Sequence, residues 1–161
     1  MRALRIYLDT SVLGGCFDPE FEIWSNGLMA DFRAGLLRAV LSDVTAAEVA
    51  RAPETVRGLH ADLLASGAEL VPTTDECLSL LAAYEARRIL APMLRNDMLH
   101  IALATVADVD VLVSWNFRHI VRLDNIRLFS AVNIELGYKP LAIYSPQEVS
   151  IHGREPGDSS R

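Results

Sequence analysis

Val111-Leu112-Val113-Ser114-Trp115-Asn116 is the stretch whose reading decides the fold. Three apolar β-formers in a row, with no polar residue between them, predict a strand covered on both faces rather than one side of a sandwich. The same pattern occurs twice more. Leu4–Leu8 runs directly into Asp9, and the apolar run 37–41 leads into the acid-bearing segment from Asp43 to Glu48. Glu69–Val71 and residues 141–144 supply two further strand candidates. Helical patterns fall between them. Residues 23–32 stop at Gly35, residues 45–50 start a short helix, and Pro53 opens one that runs to Ser66 and stops at Gly67. Residues 75–90 form an amphipathic helix ended by Pro92. Asn96 is placed to cap a helix over 97–107. Helical segments at 118–123 and 125–136 follow, with Gly137 as the stop.

Strands alternating with helices imply parallel strands joined by right-handed crossovers. The expected fold class is therefore α/β: a single three-layer α/β/α domain with a central parallel sheet over residues 1–150, followed by a flexible tail over 151–161. The chain has 161 residues, which suits one domain with a substantial core. Hydrophobic residues make up 51% of it, which argues against disorder. Cys16 and Cys77 lie far apart and fit no metal spacing, so a reducing cytoplasm is the expected setting. Residues 1–5 contain no apolar leader core. The longest apolar run, 98–113, is interrupted by His100, Asp108 and Asp110, so no membrane span is expected. A net charge of -6 weighs against a broadly basic nucleic-acid binder. It leaves room for a carboxylate site whose charge bound cations offset.

In parallel sheets ligands bind beyond the carboxyl ends of the strands. Asp9, Asn116 and the Asp43 to Glu48 segment follow strands directly and should gather there. Asp97 opens a helix, and its place at that edge is an expectation from pattern. Carboxylates converging without a counter-charge repel, and a hard divalent cation removes that penalty. Each residue also has a plainer explanation. Asp9 can cap the helix that follows it. Thr45 and Glu48 fit a capping box. Asp97 can complement a helix dipole, and Asn116 can be a turn residue. His100 reads as a packed side chain, and His119 as structural or close to a substrate. Trp115 can stack on a base or lie buried. Arg87, Arg88, Arg95, Arg118 and Arg122 form a phosphate-binding rim or are ordinary solvated arginines.

Read together, these segments resemble the PIN-domain family, and within it the small VapC-like toxins. The resemblance lies in Asp9-Thr10-Ser11-Val12-Leu13 after the first strand, Glu48, Asp97-Met98-Leu99-His100-Ile101-Ala102, and Leu112 through Ile120 with Asn116 inside it. It spans roughly residues 4–149. It implies a Mg²⁺- or Mn²⁺-dependent endoribonuclease with Asp9, Glu48 and Asp97 as metal ligands and Asn116 completing the catalytic set. Thr10 and Ser114 would support the ligands, and Arg95, Trp115 and Arg118 would contact RNA. It also implies a homodimer and a cognate antitoxin that blocks the acidic pocket. One departure stands out: the family usually carries a fourth acid where this chain has Asn116, which puts a second metal in doubt.

Other classes remain open at this level. Asn116 favours a PIN-like module that has lost catalysis and binds RNA or protein. An aspartyl-nucleophile phosphatase would want Asp-x-Asp after the first strand, where this chain has Ser11. A receiver domain would use Lys139 near the last strand, but the paired acids it needs are missing.

Overall fold

A computed structural model describes residues 2–152 of the chain. Strands β1 (Leu4–Leu8), β2 (Leu37–Ser42), β3 (Glu69–Val71), β4 (Val111–Val113) and β5 (Ile143–Tyr144) form one sheet in the order β3-β2-β1-β4-β5. Every pairing is parallel, with Tyr7 opposite Val40 on one side and opposite Leu112 on the other. The helices are α1 (Thr10–Gly15), α2 (Glu22–Arg33), α3 (Asp43–Val49), α4 (Glu54–Ala65), α5 (Asp75–Ala86), α6 (Arg95–Val106), α7 (Leu123–Glu135) and α8 (Pro146–Val149).

Side chains alternate across each strand and so build two cores. Tyr7, Val40 and Leu112 pack with α5, α6 and α7 on one face. Ile6, Leu8, Ala39, Leu41 and Val113 pack with α1, α2 and α4 on the other. The three-layer arrangement is the one expected from the sequence. The chain winds outward from β1 through β2 to β3 and then returns to β4 on the opposite side of β1. The strand order therefore reverses between β1 and β4, and it is beyond the carboxyl ends at such a switch point that parallel sheets bind ligands.

Several local expectations need correction. Helix α5 stops at Ala86 rather than at residue 90. Arg88 takes a left-handed φ of 53°, with Arg88 N–H donating to Glu85 O and Ile89 N–H to Tyr84 O. This is the Schellman closure that glycine normally marks, here built on arginine and so not visible in the sequence. It turns Ile89 and Leu90 back onto the core. Asp108, also at φ 53°, closes α6 in the same way. Asn96 does not cap α6. A 3₁₀ turn over Pro92–Leu94 feeds the helix, Leu94 holds the cap position, and Asn96 already lies in the first turn. Residues 118–122 form turns rather than a helix, and α7 starts at Leu123. Of the expected tail, Ile151 and His152 are anchored by backbone N–H donation to the buried Asp31 carboxylate, at 2.7 and 3.1 Å. The rest of that segment lies outside the described residues.

Candidate metal centre

The site lies at the carboxyl ends of β1 and β4. Asp9 leaves the end of β1 at the cap position of α1, yet its side chain does not cap that helix. Its carboxylate instead accepts from Ser11 Oγ at 2.6 Å and from Ser114 Oγ, at the end of β4, at 2.5 Å. Ser114 Oγ in turn accepts from the Asn116 backbone N–H at 2.9 Å, and Asn116 Nδ2 donates to Asp97 Oδ2 at 3.4 Å. A continuous chain of polar contacts thus joins Asp9 to Asp97 through Ser114 and Asn116. Asn116 is also a turn residue, since its Oδ1 accepts from His119 N–H at 3.0 Å.

Glu48 enters from α3. The capping box expected of it does not form. Ser42 caps α3 by accepting from Thr45 N–H, which leaves Glu48 free to point elsewhere. Its Oε1 accepts from Thr10 Oγ1 at 2.9 Å and meets His100 Nε2 at 2.6 Å. His100 lies one turn beyond Asp97 on α6 and is only 2% exposed. Reading it as a packed residue missed its partner, because nothing in the spacing of α6 reveals a glutamate on α3.

Hydrogen bonds therefore link Asp9 to Asp97 through Ser114 and Asn116, and Glu48 to Thr10 and His100, so that Thr10 and Ser114 are bonded to the carboxylates. Ser11 belongs to the same network and was not singled out beforehand. The Asp-Thr-Ser order at a strand end was the available signal, with hydroxyls beside a carboxylate that must be held. Trp115 is not offered to a ligand. It is 7% exposed and stacked on Phe21 at a centroid distance of 4.2 Å. Its Nε1–H donates to Ser25 Oγ at 2.8 Å, and its backbone N–H donates to Ser11 Oγ at 2.9 Å. It acts as a strut beneath the site. Gly15 makes room for it, since a Cβ there would lie 2.6 Å from the indole nitrogen. Arg95 and Arg118 are exposed, and neither bonds to the acids.

Burial pushes the Asp9 carboxyl up, partly offset by the charge of His100 and by the Ser11 and Ser114 hydroxyls. Burial also raises Asp97, opposed by His100 and His119 and reinforced by Glu48. For Glu48, burial acts upward but is outweighed by the His100 hydrogen bond and charge and by Thr10, so its pKa falls. One His thus acts electrostatically on all three acids. Among the described residues, no Lys or Arg forms an ion pair with any of them.

Among the described residues, no three or more His, Cys, Asp or Glu side chains form a ready-made metal cage. The donor chemistry nevertheless fits a hard divalent cation. The donors are three carboxylates, two of these acids are raised by burial without a Lys or Arg ion-pair partner among the described residues, and carboxylate oxygens keep spare lone pairs beside their hydroxyl bonds.

A family model for the PIN domain matches residues 6–125. Among solved structures, VapBC-1 from nontypeable Haemophilus influenzae is similar at a TM-score of 0.57 and 15% identity, over 89% of this chain and 99% of that one. VapBC2 from Rickettsia felis, bound to a DNA fragment from its promoter, is similar at 0.57 and 14%, over 88% and 98%. FitAcB from Neisseria gonorrhoeae is similar at 0.54 and 16%, over 88% and 98%. At these identities the likeness establishes the fold. No curated protein matches the chain in sequence. Among the described residues, no helix is long and apolar enough to cross a membrane.

Proposed function

The chain belongs to the PIN domain family, and from that premise we propose that it is a divalent-metal-dependent endoribonuclease, the toxin component of a toxin–antitoxin pair. What supports this reading is that Asp9, Glu48 and Asp97 are tied to hydroxyls, one amide and one histidine at the carboxyl ends of the strands, with no Lys or Arg ion-pair partner among the described residues. PIN domains are typically divalent-metal-dependent nucleases, and this acid set suits Mg²⁺ or Mn²⁺. The toxin setting, with its antitoxin partner, homodimer and cytoplasmic location, follows from likeness to the VapC-like proteins.

Asp9 and Asp97 would hold the ion, and Glu48 would join them through its second oxygen. A bound ion would supply the positive charge that acidifies a water and stabilises charge building on the phosphate. The lowered pKa of Glu48 makes it a weak proton acceptor, so its role is to ligate or to orient the attacking water rather than to take its proton permanently. Asn116 would orient water or a phosphate oxygen from the opposite wall. Water adds to phosphorus in line, the bond to the leaving ribose oxygen breaks, and that oxygen takes up a proton. Arg95 and Arg118, both exposed, would contact the RNA backbone.

The test is cleavage of a mixed RNA pool by wild-type and Asp97→Asn protein, with Mn²⁺ and with EDTA. The expected result is cleavage that needs metal and disappears in the variant. Cleavage that persists in EDTA, or in Asp97→Asn, overturns the reading. A second reading is favoured by one residue: Asn116 contributes no charge where the family usually has an acid, which suits a weakened, RNA- or protein-binding module. Wild-type protein that binds RNA without cutting it, and an Asn116→Asp variant that gains cleavage, would select that alternative.

A further inference from the structure

From the half-buried Glu48 a second chain of polar groups runs inward through residues that the proposed reaction does not use. Glu48 Oε1 meets His100 Nε2 at 2.6 Å, and His100 Nδ1 meets the Tyr7 hydroxyl at 2.7 Å. That hydroxyl lies 2.7 Å from Ser42 Oγ, which caps α3 by accepting from Thr45 N–H at 3.3 Å. Thr45 Oγ1 closes the chain by donating to the backbone carbonyl of Leu8 at 3.3 Å, immediately before Asp9. Tyr7, Ser42 and Thr45 are each 0% exposed.

The positions are informative. Tyr7 stands in the central strand with its ring on the α6 side of the sheet, and its neighbour two residues on is the ligand candidate Asp9. Ser42 caps the helix that carries Glu48. His100 comes from the helix that carries Asp97. The chain thus bonds together the three elements that deliver the three acids. A buried hydroxyl on a central strand costs stability unless every partner is met. An apolar phenyl would fill the same space in the core without that requirement.

Hydrogen-bond roles follow from Glu48 outward. A carboxylate only accepts, so His100 Nε2 must carry a proton. Thr10 Oγ1 donates to the same Oε1. Two donors on one oxygen fix the carboxylate plane and leave Oε2 with no hydrogen bond among the described residues. The Tyr7 hydroxyl, able both to donate and to accept, holds the other ring nitrogen, Nδ1, at 2.7 Å.

We propose that Tyr7 and His100 are positioning residues: the Tyr7–His100 pair, anchored on Ser42, clamps Glu48 Oε1 so that Oε2 is presented to a divalent cation held with Asp9 and Asp97. The inference rests on the metal-dependent reading above and adds to it a stated function for a strand residue that packing alone does not require to be tyrosine. Groups that orient a ligand commonly change metal affinity by about 10- to 100-fold when removed.

The test is calorimetric titration of Mn²⁺ into the full-length wild-type chain, Tyr7→Phe, His100→Gln and His100→Ala, with thermal melts alongside. Tyr7→Phe keeps the ring and the core packing, so it stays folded even if His100→Ala does not. The expected result is about a tenfold loss of Mn²⁺ affinity in Tyr7→Phe. A larger loss is expected in His100→Ala, with partial recovery in His100→Gln, whose amide can still donate. A purely structural role predicts a lower melting temperature with Mn²⁺ affinity unchanged, and that result overturns the proposal while leaving the metal site standing. Wild-type protein that binds no Mn²⁺ overturns both.

Discussion

The two edges of the sheet handle their acids in opposite ways. At the amino edge Glu69, Asp110 and Asp108 each have a basic partner. Glu69 is gripped by Arg5 through two hydrogen bonds of 2.7 and 3.0 Å, with Arg38 at 3.9 Å. Asp110 accepts from the Arg5 backbone N–H at 2.8 Å and pairs with Arg2 at 3.3 Å. Asp108 has Lys139 at 3.7 Å. At the carboxyl edge Asp9, Glu48 and Asp97 have hydroxyls, one amide and a single histidine. The same chain has arginines with which to neutralise carboxylates, yet among the described residues none of them pairs with Asp9, Glu48 or Asp97. Acids paired with arginine are finished structures. Acids held without arginine or lysine leave more charge unmatched, and under the proposed function the carboxyl edge is the working end.

The largest expected effect breaks the comparison from the working side. Asp97→Asn should lower metal-dependent RNA cleavage by about a hundredfold or more, because a lost ligand removes several kcal/mol of charge stabilisation. Its melting temperature should match or exceed that of wild type, since a buried, repelled carboxyl becomes neutral. Activity assays and melts on the same preparation check both halves. An unfolded variant would mean that Asp97 serves the fold. From the other edge, Arg5→Met should cost about 1 kcal/mol of stability by orphaning Glu69 and the Ala107 carbonyl, while leaving Mn²⁺ affinity as it was. Denaturant unfolding and calorimetry would show the two edges to be separable.

A pH series sharpens the same contrast. In metal-free protein Asp9 and Asp97 have pKa values raised above the ordinary 3.8. The folded state then binds their protons more tightly than the unfolded state does. Stability from these groups is present at low pH and is lost as pH rises from about that value through their raised ones. Glu48 acts oppositely: it contributes above its ordinary 4.5, and the contribution is lost as pH falls through its lowered value. Melts of metal-free protein should therefore lose stability across the mildly acidic range. The slope should flatten in Asp97→Asn, and Mn²⁺ should restore stability at the upper end. A wild-type slope identical to that of the variant would show that Asp97 carries no such burden.

Much of this was legible in the sequence, and the reasons differ by residue. The strands are written as uninterrupted apolar runs, and Gly35, Gly67 and Gly137 announce helix ends because only glycine takes φ > 0 freely. The ends at Arg88 and Asp108 use the same geometry without glycine and were invisible. Asp9 and Asn116 follow strands directly, so their arrival at one edge could be read from topology. Asp97 reached that edge through a helix start, which required the likeness to known segments. His100 was hidden because its partners, Glu48 and Tyr7, lie on other elements 52 and 93 residues away. The local pattern around Thr45 pointed Glu48 toward the wrong partner, and only the position of Ser42 at the true cap released it.

The smallest expected effect concerns the residue that departs from the family pattern. Asn116 joins the site by two opposite ends: Oδ1 accepts from His119 N–H, and Nδ2 donates to Asp97. In Asn116→Asp the first bond survives and the second becomes a contact between two carboxylates. Without metal this should cost no more than about 1 kcal/mol, because the 3.4 Å contact it replaces is long and the site is only half-buried. With metal the added charge has a use, so Mn²⁺ affinity should rise by a few-fold and the metal-free destabilisation should vanish. Calorimetry and melts at matched pH read both quantities. A variant destabilised equally with and without Mn²⁺ would place residue 116 outside the reach of the ion and confine its role to the turn before His119.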